Sequence, residues 1–347
     1  MKFSVIGTGV IGALRARSVV ENPDTQLLAV ADVNEASAKA VAAQCGARAE
    51  TDYRRLLDEP GLEAVIVSSP VHLHEEMCTA AFERGLHVLV EKPLSNNSAA
   101  ARRILEAAAR AGRTLSVGFN HRYYPSIAFL KERIDDGTIG TLDHVRVFGG
   151  HDGLSNFRSE WMYKGALSGG GAMMDCGIHM TDLARFVAGE VTTVFGTATN
   201  RIWNVEGSED NALAVFRTES GVPVHYQATW DEWRGYHFYV DAYGDKGMVR
   251  AYYAPMFNLL VTQAKPGGPR QKRRLFYPEI ILREKFKGWQ TTSYLTFVAE
   301  LRDFLLRIGG RDDVHLADGW SGVRSIEIAE GVYESQRTGR SVDLPAR

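Results

Sequence analysis

Six residues near the amino terminus constrain the fold more than any other feature of the chain. Gly7-Thr8-Gly9-Val10-Ile11-Gly12 lies between an apolar run, Phe3–Ile6, and a helical stretch, Val10–Val20. A strand that enters a helix through glycines at this spacing has the form of a dinucleotide fingerprint. The first glycine permits the tight turn, the second lets backbone approach a pyrophosphate, and the third allows the helix to pack closely on the strand. The helix N-terminus adds unpaired N–H groups and a dipole that favours phosphate. Asp32 follows the second apolar run, 20 residues beyond Gly12, the offset at which a carboxylate meets ribose hydroxyls. Val33 and Asn34 come next, with no adjacent arginine for a 2′-phosphate, so NAD is expected and NADP is less favoured. The same glycines interrupt the apolar start, which would otherwise imitate a signal peptide.

From Met1 to about Asn120 the chain alternates short apolar runs (Phe3–Ile6, Leu27–Ala31, Ala64–Ser68, Val88–Val90, Leu115–Val117) with helical stretches (Val10–Val20, Glu35–Gln44, Leu73–Glu83, Ser98–Ala111). Buried runs joined by helices of this length imply right-handed crossovers and a doubly wound parallel sheet, a Rossmann domain. Beyond Tyr123 one more helix, Ser126–Ile134, precedes long strand-like segments: Asp143–Phe148, Thr192–Thr199, Ala212–Arg217, Val222–Trp230 and His237–Tyr243. Turns containing glycine separate some of them, so a mostly antiparallel sheet is expected. Helices are expected over Asp175–Ala188, Tyr294–Ile308 and Ser321–Gln336. Lys265-Pro266-Gly267-Gly268-Pro269, followed by Arg270, Lys272, Arg273 and Arg274, reads as a solvated turn with a basic edge. The expected class is α/β, with a Rossmann domain at residues 1–122 and an α+β domain at 123–347. The C-terminal helices are candidates to pack back on the first domain.

A length of 347 residues allows about two domains. Lysines and arginines number 40 against 42 acidic residues, a net charge of −2. No basic field exists to capture nucleic acid or anionic lipid, so neither partner is expected. Cys45, Cys78 and Cys176 are odd in number and widely spaced, which argues against a disulfide framework or a structural zinc site and fits a reducing, cytoplasmic setting. No apolar stretch approaches the roughly 20 residues that cross a bilayer. The histidines show no H-E-x-x-H or paired ligand spacing, so no metal is expected.

Three further segments carry chemistry. Ser68-Ser69-Pro70 and His74 fall where an apolar run meets its helix, at the edge that lines the crevice of such a sheet. The two serines can donate to a cofactor or cap the helix, and His74 can bond to backbone in the turn. Val88–Val90 runs into Glu91-Lys92-Pro93, and a lysine closing a buried strand costs desolvation unless it has partners or a function. Pro93 could hold it through a cis linkage. Finally, Gly169-Gly170-Gly171 leads to Asp175 and His179, four apart and so on one face of the expected helix, with Asp182 three further on. A carboxylate beside an imidazole suits proton transfer near neutral pH.

With these residues in place, the order of motifs resembles the Gfo/Idh/MocA family, named for glucose-fructose oxidoreductase, inositol dehydrogenase and rhizopine catabolism. The motifs run from Gly7–Gly12 through Asp32, Ser69-Pro70, Glu91-Lys92-Pro93, Gly118–Tyr123 and Gly169–His179 to the closing region around Thr338-Gly339. The resemblance implies a C-terminal domain with a large open sheet and a homodimer or homotetramer. It makes Lys92, Asp175 and His179 the catalytic set: Lys92 bonds the reacting oxygen, His179 exchanges the proton, and Asp175 orients one of these or binds substrate. Lys92 and His179 exchange the role of base among relatives, and His179 is preferred here. Cofactor contacts are implied for Gly7, Thr8, Gly9, Val10, Ile11, Gly12, Asp32, Ser68, Ser69, Pro70, His74, Glu91, Lys92 and Asn120. Substrate contacts are implied for Lys92, Arg122, Trp161, Asp175 and His179. Met162 and Val71 depart from residues common in the family beside these positions. His151, Asp152, Arg158, Trp161 and Lys164 form a polar, aromatic stretch that could read hydroxyls or serve as loop structure.

The expected activity is reversible oxidation of a secondary alcohol of a sugar, cyclitol or glycoside, with hydride passing to NAD+. One alternative is a redox-neutral enzyme that retains NAD and cleaves or epimerises a glycoside. Another, of a different class, is a non-catalytic dinucleotide-sensing regulatory protein.

Overall fold

The computed structural model describes residues 1–153 and 159–347, and Arg158 lies outside the described residues. Among the described residues the chain divides into two compact units. One comprises Met1–Asn120 with Gln290–Arg324, the other His121–Trp289 with Ser325–Arg347.

The first unit holds a six-stranded parallel sheet of β1 (Lys2–Ile6), β2 (Gln26–Ala31), β3 (Arg48–Glu50), β4 (Ala64–Val67), β5 (His87–Val90) and β6 (Leu115–Val117), ordered β3-β2-β1-β4-β5-β6. The intervening helices are α1 (Val10–Glu21), α2 (Glu35–Cys45), α3 (Tyr53–Leu57), α4 (His74–Glu83) and α5 (Ser98–Ala111). Strands such as Ala64-Val65-Ile66-Val67 are wholly buried, as parallel strands covered on both faces must be. The strand order reverses between β1 and β4, so their carboxyl ends open the crevice in which such sheets bind ligands. Helix α10 (Gln290–Ile308) packs on α1 and sends Leu301 and Phe304 into the core around Phe3, Val30 and Ile66. Strand β3 and helix α3, at 3 and 5 residues, are too short to have shown as periodic runs.

The second unit holds a nine-stranded sheet. Its strands are β7 (Leu142–Gly150), β8 (Val191–Thr199), β9 (Asn211–Thr218), β10 (Pro223–Thr229), β11 (His237–Gly244), β12 (Gly247–Tyr253), β13 (Phe257–Gln263), β14 (Arg270–Phe276) and β15 (Val342–Asp343). The order is β14-β13-β12-β11-β7-β10-β9-β8-β15, and β7 with β10 forms its parallel pair. Along β9, buried Ala212, Ala214 and Phe216 alternate with exposed Leu213, Val215 and Arg217, the signature of a sheet covered on one face. Helix α6 (Pro125–Asp135) lies on β12 and β13, and α8 (Gly177–Ala188) on β7 and β10. The remaining helices are α7 (Gly165–Ser168), α9 (Pro278–Lys287) and α11 (Gly319–Thr338); the boundary between units falls within α11.

Two expectations are corrected. The basic segment after Pro269 is the edge strand β14, whose arginines and lysine are exposed; charge on an edge discourages pairing with another chain. Helix α8 begins at Gly177, so Asp175 belongs to the preceding turn rather than to the helix. Among the described residues no helix is long and apolar enough to cross a membrane.

Candidate active site

The glycine fingerprint folds as its spacing demands. Gly7 adopts φ +90°, and a Cβ there would lie 2.4 Å from the Ser68 carbonyl oxygen. A Cβ on Gly12 would lie 1.9 Å from the Gly7 carbonyl oxygen, whereas one on Gly9 would meet nothing within 4 Å among the described residues. Two glycines therefore serve packing, and the middle one keeps the face of the turn open. Gly9 is also the N-cap of α1 and offers no side-chain cap, so the first N–H groups of the helix remain available to an anion. Asp32, at the end of β2, accepts at Oδ2 from Thr8 N–H (2.7 Å) and from Thr8 Oγ1 (3.0 Å), and at Oδ1 from Asn34 N–H (2.9 Å). At the end of β4 the hydroxyls of Ser68 and Ser69 are buried with no hydrogen-bond partner among the described residues. Unsatisfied buried hydroxyls are costly, and a bound dinucleotide would supply acceptors, so these residues fit NAD.

Glu91-Lys92-Pro93 continues from β5. The Lys92-Pro93 bond is cis, and the lysine is half-buried. The Glu91 carboxylate accepts from Arg15 Nε at 2.7 Å. Beyond the lysine, His74 Nδ1 stands 3.0 Å from the Pro93 carbonyl oxygen and its Nε2 2.9 Å from that of Ser69. Burial holds the His74 pKa below its ordinary value, against the opposing pull of these carbonyls and of Glu91. Asn120, after β6, is buried and donates through Nδ2 to Thr296 Oγ1 at 2.8 Å.

In the second unit the glycine run forms a close turn before α8. A Cβ on Gly171 would lie 1.8 Å from the Glu209 carbonyl oxygen. The Glu209 carboxylate grips the turn, accepting from Gly171 N–H at 2.9 Å and Met173 N–H at 2.6 Å; burial raises its pKa while those bonds lower it. Asp175 then accepts at Oδ2 from His151 Nε2 (2.7 Å) and Trp230 Nε1 (3.1 Å). Because His151 Nδ1 accepts from Gly153 N–H at 3.0 Å, the ring proton sits on Nε2 and points at the carboxylate. Ligand atoms of His151, Asp175 and Cys176 lie within 4.8 Å of one another, but a cation on Nε2 would displace that proton. His179, on the first turn of α8, is buried and stacks on His121 with ring centroids 3.7 Å apart, and His121 Nε2 lies 2.6 Å from Tyr236 Oη. Arg122 and Asp182 form a buried, two-pronged ion pair at 2.7 and 2.5 Å. Trp161 is half-buried in a short 3-10 turn, Glu160–Tyr163, while Asp152 and Lys164 are exposed.

Several of these residues escaped the sequence reading. Arg15 was visible in principle, since it shares the buried stripe of α1 with Gly12, Ala16 and Val19, an uncommon place for a charge. His121, Glu209, Trp230 and Tyr236 carry no spacing signal toward Asp175 or His179 and become partners only through the sheet.

Comparison with known proteins agrees with this fold. A family profile described as "Oxidoreductase family, NAD-binding Rossmann fold" matches residues 1–119, and one described as "GFO/IDH/MocA C-terminal domain" matches residues 127–250. The chain is 28% identical to the myo-inositol 2-dehydrogenase of Thermotoga maritima, covering 99% of this chain and 98% of the relative. It is 32% identical to an inositol 2-dehydrogenase of Streptomyces avermitilis, covering 99% and 95%. The crystal structure of an NAD-binding oxidoreductase from Klebsiella pneumoniae superposes with a TM-score of 0.87 at 25% identity, over all of both chains. The chain therefore belongs to the Gfo/Idh/MocA family, as an NAD-dependent oxidoreductase acting on CH–OH groups.

Proposed function

We propose that this enzyme oxidises a ring secondary alcohol of a cyclitol, with inositols the first substrates to try and related sugars next. The observation that carries the reading is likeness along nearly the whole chain to two inositol 2-dehydrogenases, and Lys92, Asp175 and His179 are the groups the resemblance of motifs implies for the chemistry. NAD, when bound, accepts the hydride from the carbinol carbon. Gly7–Gly12 and the N-terminal end of α1 would hold its phosphates, Asp32 its ribose, and Ser68 and Ser69 further polar edges. In this reading Lys92 hydrogen-bonds the reacting oxygen and favours its deprotonated form. His179 takes the proton. The stack with His121, ring centroids 3.7 Å apart, fixes the plane of this imidazole. Asp175, held by His151 and Trp230, binds a neighbouring substrate hydroxyl or orients the base. Arg122, engaged with Asp182, shapes the start of the second unit. Phe195, Leu213 and Val215 are exposed on paired strands β8 and β9, which supports self-association as a homodimer or homotetramer, to be measured by light scattering.

The test is a panel of inositols, aldoses and glycosides with NAD+ and NADP+, following absorbance of the reduced nicotinamide. Lys92→Met and His179→Asn should each lower kcat by about a thousandfold, as loss of proton-handling groups does, while NADH still binds. Wild-type turnover in both variants would overturn the assignment. Substrate conversion without net NADH would point instead to internal oxidation and re-reduction.

A further inference from the structure

Lys92 sits between two anchors that come from different parts of the first unit. Before it, Glu91 is fixed twice: its N–H donates to the Val67 carbonyl at 2.8 Å, and its carboxylate meets Arg15 at 2.7 Å. Arg15 is 1% exposed, pairs through Nη1 with the buried Glu300 at 2.6 Å, and lies 4.0 Å above the Phe297 ring. Gly118 closes the cage, since a Cβ there would stand 2.8 Å from Arg15 Nη2 and 3.1 Å from Glu91 Oε2. After the lysine, His74 spans from the Pro93 carbonyl to the Ser69 carbonyl.

We propose that Arg15 and His74 are positioning residues that hold the Lys92 backbone from its two sides. Arg15 ties the lysine to α1, which follows the glycine fingerprint, and His74 ties it to the loop of Ser68 and Ser69. The inference rests on the reading of Lys92 as the group that touches the reacting oxygen. One guanidinium meets two carboxylates, hydrogen-bonding Glu91 through Nε and pairing by charge with Glu300 through Nη1, which a lysine cannot reproduce because its charge is a single point. A guanidinium needed for folding alone would alter stability and leave the chemistry of the surviving folded enzyme untouched. One that places Lys92 has a different consequence, since a misplacement of about 1 Å costs on the order of a hundredfold in rate.

Arg15→Lys, Glu91→Gln and His74→Gln test this in the full chain. Arg15→Lys should lower kcat about 10- to 100-fold, with its NADH dissociation constant within about threefold of wild type, and each of the others should lower kcat about 3- to 10-fold, with KM within about threefold in all three. A second readout needs no turnover. With lysines reductively methylated with carbon-13, the Lys92 resonance, assigned by its absence from Lys92→Met, should shift in all three variants without cofactor. If Arg15→Lys does not fold, Glu91→Gln and His74→Gln decide the matter. A kcat within twofold of wild type together with an unmoved Lys92 resonance in the folded variants overturns the inference. Wild-type turnover in Lys92→Met would instead break the catalytic reading on which it rests.

Discussion

The two units prepare their chemistry in opposite ways. Around Gly7–Gly12 the groups offered to a ligand are mostly backbone, and side chains are kept out: a Cβ is forbidden at two of the three glycines and open space lies beside the third. Around Asp175 and His179 the proposed working groups are side chains, each fixed by partners distant along the chain. His151 and Trp230 meet Asp175, and His121 meets His179. A backbone site depends on local spacing, so it is robust to everything except a new atom in the turn. A side-chain site depends on long-range packing and fails when one distant partner is lost.

The largest effect should come from the buried pair behind the second site. Asp182→Ala leaves the Arg122 guanidinium without its two-pronged partner at a position 8% exposed. Breaking a buried pair from one side costs about 3–5 kcal/mol, and urea denaturation should show it. A loss below about 1 kcal/mol would mean that water or another group replaces Asp182, and that the second unit is less dependent on its side-chain partners than the comparison requires.

Within the first unit the glycines can be set against each other. Gly12→Ala drives a methyl group into the Gly7 carbonyl, so both thermal stability and NADH affinity should fall, the latter by about a hundredfold or more, as a displaced turn loses its phosphate donors. Gly9→Ala should leave the melting temperature within about 2 °C and weaken NADH by roughly tenfold, because its Cβ meets nothing within 4 Å among the described residues and projects where a phosphate would approach. Fluorescence titration and a thermal melt on the same samples separate the two. Equal behaviour of the two variants would remove the distinction between packing and approach.

That contrast also explains which features were legible in the sequence. Strand–glycine–helix spacing and the later Asp32 are short-range patterns, and the structure carries them at the carboxyl ends of β1 and β2. The strand-like segments Ala212–Arg217 and Val222–Trp230, parted by a turn containing glycine, announced β9 and β10 for the same reason. The four-residue spacing of Asp175 and His179 misled in one respect, because helical phase was extended back past Gly177 to Asp175, which lies in a turn instead. The partners of Asp175 lie 24 and 55 residues away along the chain, and no periodicity links them to it. Edge strand β14 was obscured by its charge, since five of its seven residues are Arg, Gln or Lys and β-propensity is weak evidence on an exposed edge.

The smallest effect tests the side-chain site where its geometry is best preserved. Trp230→Phe removes the indole N–H that donates to Asp175 Oδ2 while keeping most of the buried ring; Trp230 itself is 1% exposed. His151 still donates to the same oxygen, so the carboxylate keeps one of these two restraints. A hydrogen bond to a charged group contributes about 1.5–3 kcal/mol, and Asp175 is partly open to water, which returns some of that. The expected loss in kcat/KM is therefore about 3- to 10-fold, with NADH affinity unchanged because the first unit is untouched. His151→Ala should cost more, since it removes the shorter of the two bonds and leaves Gly153 N–H without its acceptor. If Trp230→Phe exceeded His151→Ala, the indole rather than the imidazole would be the principal restraint on Asp175.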